Sequence, residues 1–196
     1  MTDAQPALAG IILAAGGAVR FAGPKQVARF GAETLVERTV RLALGVCDAG
    51  VVVVTGAHAE AVATSLAATG ARLAFNPAWQ SGMSGSIARG LAELPSEAQA
   101  CMILLCDQPA IDKADLCALV AGWMAAPQAA AAAAFAGTIG APAIFPAALW
   151  PRLGLLTGDR GARAVLADLP QLTAVAMPHA ALDVDTAADL ARLAPP

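Results

Sequence analysis

Aromatic residues are scarce in this sequence. The 196-residue chain contains no tyrosine and only 4% aromatic residues, although 58% of its residues are hydrophobic. Alanine supplies a large share of those hydrophobic residues, and it has the highest intrinsic helix propensity of the amino acids. The composition therefore predicts a helix-rich, soluble α/β protein, and the length fits a single domain over residues 1–196 with a buried core.

Runs of basic residues are absent as well. The 12 Lys and Arg residues are scattered singly among 15 Asp and Glu residues, and the formal net charge is -3. Because nucleic-acid binding needs a concentrated basic surface, we expect no nucleic-acid partner. We expect the protein to act on small molecules instead.

The first 17 residues lack the features of an export signal or a membrane anchor. No basic segment precedes their apolar stretch, which is too short to span a bilayer and suits a first strand. We therefore expect a cytoplasmic protein that does not associate with membranes.

The cysteines show neither a metal-binding nor a disulfide pattern. The four cysteines are Cys47, Cys101, Cys106 and Cys117. They include no CxxC pair and have no histidines at zinc-ligand spacing, so we interpret all four as small buried side chains. His58 and His179 have no serine or cysteine nucleophile arranged around them, which favours solvent-facing or capping roles.

Apolar runs bounded by turn residues alternate along the chain with segments of helical periodicity. The predicted strands cover residues 10–14, 51–54, 73–75, 100–105, 129–135, 143–145 and 172–177. The predicted helices cover residues 35–44, 59–67, 84–94, 112–125, 160–169 and 187–193. The alanine tract 129–135 has the composition of a helix, but its position in the alternation favours a strand.

This order of elements predicts a doubly wound, mainly parallel sheet with helices on both faces, a Rossmann-like arrangement. Residues 100–105 are apolar throughout, as expected of a central strand covered on both sides. Ligands of such sheets bind at the carboxyl ends of the strands. The loops after the first and fourth predicted strands are therefore the places where chemistry is expected.

Small residues dominate the loop after the first strand. Its candidate nucleotide-binding residues are Leu13, Ala14, Ala15, Gly16, Gly17, Arg20 and Lys25. Small side chains let backbone N–H groups approach a polyphosphate, and the two cations can neutralise its charge. The loop fits neither a Walker A motif nor GxGxxG, which weakens kinase, ATPase and dehydrogenase interpretations. A tight turn with two surface cations is the structural alternative.

The stretch LAAGGAVRFAGPK resembles LAAGxSxRMGxxK, the signature loop of the nucleotidyltransferase superfamily that includes the molybdenum cofactor cytidylyltransferases. Arg20 and Lys25 fall in register with the signature's arginine and lysine, which implies catalytic roles for both. Ala18, Phe21 and Ala22 replace its serine, methionine and glycine. The first of these departures removes a hydroxyl that could contact phosphate.

Asp107 follows the predicted central strand in the segment LCDQP, which is similar to the family's LxDQP. A carboxylate at the end of a buried strand is well placed to hold Mg²⁺ against a phosphate. The resemblance implies that Asp107 is a catalytic residue that contacts both the nucleotide and the metal. Taken alone, an aspartate after a strand is usually a turn former.

Two other segments extend the resemblance. NPAWQSGMSGSI looks like the family's NPxWxxGMxxSL and implies that Gly82 and Ser86 bind the nucleotide; a helix-capping role is the alternative for Ser86. LDVDT matches the start of a family DIDTPEDL segment. Strand-like alternation places Asp183 and Asp185 on one side of the chain, and either can complete a metal site with Asp107.

Arg160 and Arg163 lie in GDRGAR, which is similar to the family's GDxGAR segment. The resemblance implies that their guanidinium groups bind the phosphate of the second substrate. A salt bridge on a helix surface is the alternative for both. With these segments the resemblance covers nearly the whole chain.

The resemblance implies a Mg²⁺-dependent nucleotidyltransferase. LAAG loops look like those of cytidylyl enzymes and LAGG loops like those of guanylyl enzymes, so Ala15 favours CTP as the donor. The implied acceptor is molybdopterin carrying molybdenum, and a xanthine dehydrogenase family apoenzyme is the implied recipient of the product. GTP as donor, another acceptor such as a sugar phosphate, and a non-catalytic nucleotide-binding domain are the alternatives.

Overall fold

A seven-stranded sheet forms the centre of the structure, a computed structural model that describes residues 6–21 and 23–193. In spatial order its strands are β5 (Arg72–Phe75), β4 (Val51–Thr55), β1 (Leu8–Ala14), β6 (Ala100–Leu105), β8 (Thr138–Pro146), β7 (Ala130–Phe135) and β9 (Leu172–Ala176). A separate hairpin pairs β2 (Arg29–Phe30) with β3 (Glu33–Thr34). Ala22 and residues 1–5 lie outside the described residues, so the predictions on them stay predictions.

Most neighbouring strands of the sheet are parallel, which confirms the predicted arrangement. β1 pairs in parallel with β4 and β6, β5 lies parallel to β4, and β9 lies parallel to β7. β8 is antiparallel to both β6 and β7. The turn between β7 and β8 consists of Ala136 and Gly137, whose φ angles of 46° and 72° suit a tight antiparallel hairpin. The alanine tract is a strand because sheet pairing outweighs its helix propensity.

Helices cover both faces of the sheet. They are α1 (Leu35–Leu44), α2 (Ala59–Ser65), α3 (Met83–Ala92), α4 (Lys113–Met124), α5 (Trp150–Gly154), α6 (Arg163–Ala167) and α7 (Ala187–Leu193). Capping boxes start α1 at Thr34 and α4 at Asp112. Sequence patterns do not predict the β2–β3 hairpin or α5, because two-residue strands and a five-residue helix are too short to show periodicity.

The predicted helix over residues 160–169 is wrong in its extent. The helix there, α6, covers only Arg163–Ala167. The preceding residues form a loop in which Gly158 has a φ angle of 62°, a left-handed conformation that glycine adopts readily. The Gly158 carbonyl accepts hydrogen bonds from the Ser84 N–H and hydroxyl, which fastens this loop to the start of α3.

The core lies in two layers because side chains of the central strands alternate between the faces of the sheet. Ile12 and Val53 pack with α1 and α4 on one face, whereas Ile11 and Val52 pack with α3 on the other. All four side chains are buried. Three cysteines are buried as predicted, but Cys117 is exposed, which corrects the prediction for that residue. No helix within residues 6–21 and 23–193 is long and apolar enough to cross a membrane.

Candidate active site

A cleft of about 530 Å³ opens at the carboxyl ends of β1 and β6, where the fold class predicts a ligand. The predicted site residues that line it are Leu13, Ala15, Gly16, Gly17, Arg20, Lys25, Gly82, Ser86, Asp107 and Asp185. Trp79, Gln80, Met83 and Asp159 complete much of its wall. The two strands are neighbours in the sheet, so their loops meet although they lie about 90 positions apart in the sequence.

Charged side chains from three parts of the chain meet at this cleft. Lys25 Nζ lies 2.9 Å from Asp107 Oδ2 and 3.5 Å from Asp185 Oδ1. Arg20 Nη2 lies 3.0 Å from Asp185 Oδ2. The Lys25 side chain is only 13% exposed, whereas that of Arg20 is 74% exposed. The structure therefore brings these four predicted site residues together, and their predicted roles stay predictions.

The electrostatic surroundings hold Lys25 in its charged form. Burial by itself lowers the pKa of Lys25, but the neighbouring groups, Asp107 foremost among them, together more than offset that effect, and the net pKa is raised. The second carboxylate, Asp185, acts in the same direction. Lys25 therefore carries a full positive charge where a polyphosphate would enter.

Asp107 has an oxygen that the described residues leave without a partner. Its Oδ2 contacts Lys25, but its Oδ1 is buried and accepts no hydrogen bond from any residue in the described part of the chain. A buried carboxylate oxygen without a donor is unfavourable unless a ligand satisfies it. A hard divalent cation, which prefers carboxylate oxygens, fits this position.

The segment that carries Asp183 and Asp185 is anchored directly beside Asp107. The N–H of the buried Val184 donates to the Asp107 carbonyl oxygen at 2.8 Å. Asp185 lines the cleft, whereas Asp183 does not. Burial, followed by repulsion from Asp107, raises the pKa of Asp183. Asp185, which lines the cleft, is therefore the better placed of the two for a shared ligand.

Thr186, and not Asp185, caps the last helix. The Asp189 N–H donates to Thr186 Oγ1 at 3.2 Å, and the Thr186 N–H donates to Asp189 Oδ2 at 2.9 Å. This reciprocal pair is a capping box at the start of α7. Because the cap is supplied by Thr186, the Asp185 carboxylate is left for Lys25 and Arg20.

The start of α3 forms the opposite wall of the cleft. Gly82 has a φ angle of 112°, and a Cβ on it would collide with the Gly158 backbone, so only glycine fits there. Ser86 is buried and its hydroxyl accepts a hydrogen bond from Asn76 Nδ2 at 3.1 Å. Ser86 lies in the fourth position of α3, so the helix-capping alternative for this residue does not apply.

Arg160 and Arg163 lie outside the cleft wall. Both side chains are exposed, and neither forms a salt bridge with another residue in the described ranges. Their neighbour Asp159 does line the cleft. The two arginines therefore border the site through the loop that Ser84 holds, and their predicted role in acceptor binding stays a prediction.

A second group of possible metal ligands lies at the start of α4. Ligand atoms of Asp112, Asp115 and His179 lie within 4.8 Å of one another. The two carboxylates form the capping box of α4, and His179 Nδ1 lies 2.7 Å from Asp115 Oδ2. The hydrogen bond from His179 to Asp115 raises the pKa of the imidazole. Helix capping and this ion pair account for the cluster.

Sequence reasoning missed Gln26, which is buried in the wall of the cleft with only 3% of its surface exposed. It also assigned no contact to His58, whose Nε2 lies 3.3 Å from the Gly17 carbonyl oxygen. The position of Gln26 directly after Lys25 was the available signal. A polar residue beside a phosphate-loop lysine is a candidate for shaping that loop.

A mainly parallel sheet with a cleft at its strand ends is an arrangement that binds ligands at the topological switch point of the sheet. The chain belongs to the MobA-like NTP transferase family, whose domain model matches residues 10–175.

Relatives of known sequence or structure match most of the chain. Nicotine blue oxidoreductase from Paenarthrobacter nicotinovorans is 31% identical over 177 residues, which cover 85% of each chain. An Rv0371c homologue from Mycobacterium sp. strain JC1 has a TM-score of 0.80 and 26% identity, over 95% of this chain and 94% of that one. Rv0371c of Mycobacterium tuberculosis, solved in complex with manganese, has a TM-score of 0.78 and 25% identity. The match covers 95% of this chain and 97% of that one.

Proposed function

We propose that the protein transfers CMP from CTP to a phosphorylated acceptor, molybdopterin carrying molybdenum, and releases pyrophosphate. The observation that carries the proposal is the joint position of Lys25, Asp107 and Asp185 in the strand-end cleft, with one Asp107 oxygen left for a ligand. Membership of the MobA-like NTP transferase family supports the reaction class.

Asp107 and Asp185 are the residues that would hold Mg²⁺. The donor set consists of carboxylate oxygens, which Mg²⁺ prefers, and Asp107 Oδ1 has no competing donor among the described residues. When bound, the cation supplies Lewis-acid polarisation of the α-phosphate. A related chain of 25% identity has been solved with manganese, which supports a divalent metal in this family.

Lys25 and Arg20 would neutralise the triphosphate. Lys25 Nζ contacts the Asp107 and Asp185 carboxylates, and its charge is available to phosphate oxygens that enter the cleft. In the reaction an acceptor phosphate oxygen forms a bond to the α-phosphorus, and the bond between that phosphorus and the bridging oxygen breaks. The electron pair leaves with pyrophosphate, whose charge both cations stabilise.

The choice of CTP rests on Ala15. This residue lines the cleft, and its carbonyl oxygen accepts a hydrogen bond from the Ala57 N–H at 3.1 Å. This bond fixes the position of the methyl group, which would narrow the space for a base. Ala15→Gly is expected to weaken the preference for CTP over GTP, measured as the ratio of kcat/KM values. An unchanged ratio would discard this account of base selection.

Arg160 and Arg163 are proposed to bind the acceptor phosphate. Both are exposed cations without a salt bridge in the described residues, and their loop is fastened to α3 beside the cleft. A xanthine dehydrogenase family apoenzyme is the proposed recipient of the cytosine dinucleotide. Arg163→Met should raise the KM for the acceptor and leave the KM for CTP unchanged.

Pyrophosphate release in the presence of Mg²⁺ and molybdenum cofactor tests the proposal, with CTP, GTP, ATP and UTP supplied in turn. Release with CTP that requires the acceptor is the expected result. Preference for GTP would assign guanylyl transfer instead. Nucleotide binding without release under any condition would favour another acceptor, such as a sugar phosphate, or a non-catalytic domain.

The name of the 31% identical relative, nicotine blue oxidoreductase, suggests a rival function of another class, that of an oxidoreductase. A reaction of that kind has no need for a buried carboxylate with a free oxygen beside Lys25. The rival is tested by following oxidation of NADH and NADPH with a quinoid dye as acceptor. Turnover there that survives in Asp107→Asn, together with no pyrophosphate release, would overturn the transferase proposal.

A further inference from the structure

Four consecutive backbone carbonyls at the start of the loop after β1 are held by other groups of the protein. Gln26 Nε2 donates to the Ala14 oxygen at 3.2 Å and to the Gly16 oxygen at 2.7 Å. The Ala57 N–H donates to the Ala15 oxygen at 3.1 Å, and His58 Nε2 lies 3.3 Å from the Gly17 oxygen. No carbonyl in this stretch is left to face a ligand.

The opposite side of these peptides consists of N–H groups. C=O and N–H of a trans peptide point in opposite directions, so the Gly17 N–H is directed away from Gln26 and the Gly16 N–H away from Ala57. Both glycines line the cleft, and neither N–H donates to another residue in the described part of the chain. A Cβ on Gly16 would meet nothing within 4 Å, so this backbone is open to a ligand.

The Gln26 side chain has one orientation that fits this position. A reversed amide would place its oxygen against the carbonyl oxygens of Ala14 and Gly16, so the nitrogen must face them. In that orientation Oε1 is buried and has no hydrogen-bond partner among the described residues. A hydrophobic side chain of similar length would avoid the unsatisfied oxygen. The two hydrogen bonds to the loop are therefore the contribution that only the amide makes.

We propose that Gln26 is a positioning residue for nucleotide binding. By holding the Gly16 carbonyl away from the ligand, it keeps the Gly17 N–H directed towards acceptor atoms, while the hydrogen bond from Ala57 to the Ala15 carbonyl does the same for the Gly16 N–H. Phosphate oxygens and the carbonyl edge of a pyrimidine base are two sources of such acceptors, and both belong to the same nucleotide. This inference rests on the proposed nucleotide-binding function.

The test compares wild type with Gln26→Met, which keeps the length of the side chain and removes both donors. CTP affinity, measured by calorimetry with Mg²⁺, is expected to fall roughly 10- to 100-fold, as when a group that orients a ligand-contacting residue is lost. Gln171→Met is the matched control, because Gln171 is exposed and lies outside the cleft wall. Inorganic triphosphate is titrated in parallel to show which part of the nucleotide accepts from the loop N–H groups. If Gln26→Met loses as much affinity for triphosphate as for CTP, the N–H groups bind phosphate. If it loses affinity for CTP only, they bind the base.

Two further readouts separate positioning from a general loss of structure. The amide resonances of Gly16 and Gly17 should shift in Gln26→Met without nucleotide, while Mn²⁺ binding to the nucleotide-free protein stays as in wild type. His58→Ala, at a partly exposed position, should weaken CTP binding by roughly 2- to 10-fold, the size of one net hydrogen bond. Gln26→Leu, which also lacks the two amide donors, is the deciding variant if Gln26→Met does not fold.

Wild-type affinity for CTP in Gln26→Met, with unchanged resonances of both glycines, would overturn the inference and leave the proposed function intact. Unchanged affinity in Gln26→Leu would do so if that variant has to decide. Failure of the wild-type protein to bind CTP or any other nucleotide would instead overturn the proposed function. The two failures are therefore distinguishable.

Discussion

Two acidic clusters lie close together in the chain and differ in what their oxygens contact. The strand-end carboxylates (Asp107, Asp183 and Asp185) surround Lys25, and one buried oxygen of Asp107 has no partner among the described residues. The cap cluster (Asp112, Asp115 and His179) has its ligand atoms closer together, within 4.8 Å of one another. Its carboxylates, however, bind the backbone at the start of α4 and the imidazole of His179.

The comparison teaches that closely spaced ligand atoms are a weaker sign of a metal site than an unsatisfied buried oxygen. A metal at the cap cluster would have to displace hydrogen bonds that stabilise α4. A metal at the strand-end carboxylates would satisfy an oxygen that otherwise has no partner. Among the described residues, the cleft and the cations Arg20 and Lys25 lie at the strand-end carboxylates and not at the cap cluster.

The largest effect should come from replacing Asp107, whose Oδ1 has no hydrogen-bond partner among the described residues. Asp107→Asn is expected to lower the rate of pyrophosphate release at least about 100-fold, as does loss of an electrostatic stabiliser of a transition state. Asp112→Asn is the matched control in the cap cluster and should keep the wild-type rate, since asparagine also caps helices well. Equal losses in both variants would remove the distinction between the clusters.

Replacing Lys25 with a neutral residue should weaken catalysis but strengthen metal binding. Lys25→Met is expected to slow pyrophosphate release, but it should tighten Mn²⁺ binding to the nucleotide-free protein by about tenfold. That figure is at the low end of the influence one neighbouring charge has on a carboxylate. Electron paramagnetic resonance of free Mn²⁺ measures the change, and Lys113→Met, beside the cap cluster, is the control. Unchanged Mn²⁺ affinity would mean that Lys25 does not compete with a metal.

The cap cluster should matter for stability. Asp112→Ala removes the side chain that accepts from the Asp115 N–H and is expected to lower the free energy of unfolding by about 0.5–2 kcal/mol. Urea denaturation measures this loss, and the rate of pyrophosphate release in the folded variant should be unchanged. A normal stability combined with a lost activity would make the cap cluster part of the site.

The smallest effect concerns pH. Asp115 raises the pKa of His179 above its ordinary value of 6.5, so the pair stabilises the fold fully below pH 6.5 and less as pH rises through the raised pKa. Because His179 is half exposed, the contribution is expected to stay below about 1 kcal/mol. The Tm difference between wild type and His179→Gln should be larger at pH 6 than at pH 9. A difference independent of pH would contradict the ion pair.

Much of the fold follows from sequence because apolar runs and helical periodicity repeat over five residues or more. The central strands β1, β4 and β6 are of this kind. The antiparallel direction of β8 depends on a two-residue turn at Ala136 and Gly137, which is too local to stand out in a pattern. The start of α6 depends on a contact between Gly158 and Ser84, which are 74 positions apart.

The site residues likewise include some that the sequence predicts and some that it does not. Arg20, Lys25 and Asp107 are predictable because motif residues at strand ends meet when the strands are neighbours. The role of Thr186 as the cap of α7, which leaves Asp185 for Lys25, depends on side-chain directions that alternation alone does not give. Gln26 was missed because its function lies in contacts with backbone oxygens, which no sequence pattern displays.

Anomalous scattering from crystals grown with Mn²⁺ and CTP would test the central claim most directly. The account predicts a manganese peak within bonding distance of Asp107 Oδ1, with the triphosphate beside Lys25 and no peak at His179. A peak confined to Asp112, Asp115 and His179, with none at Asp107, would contradict it.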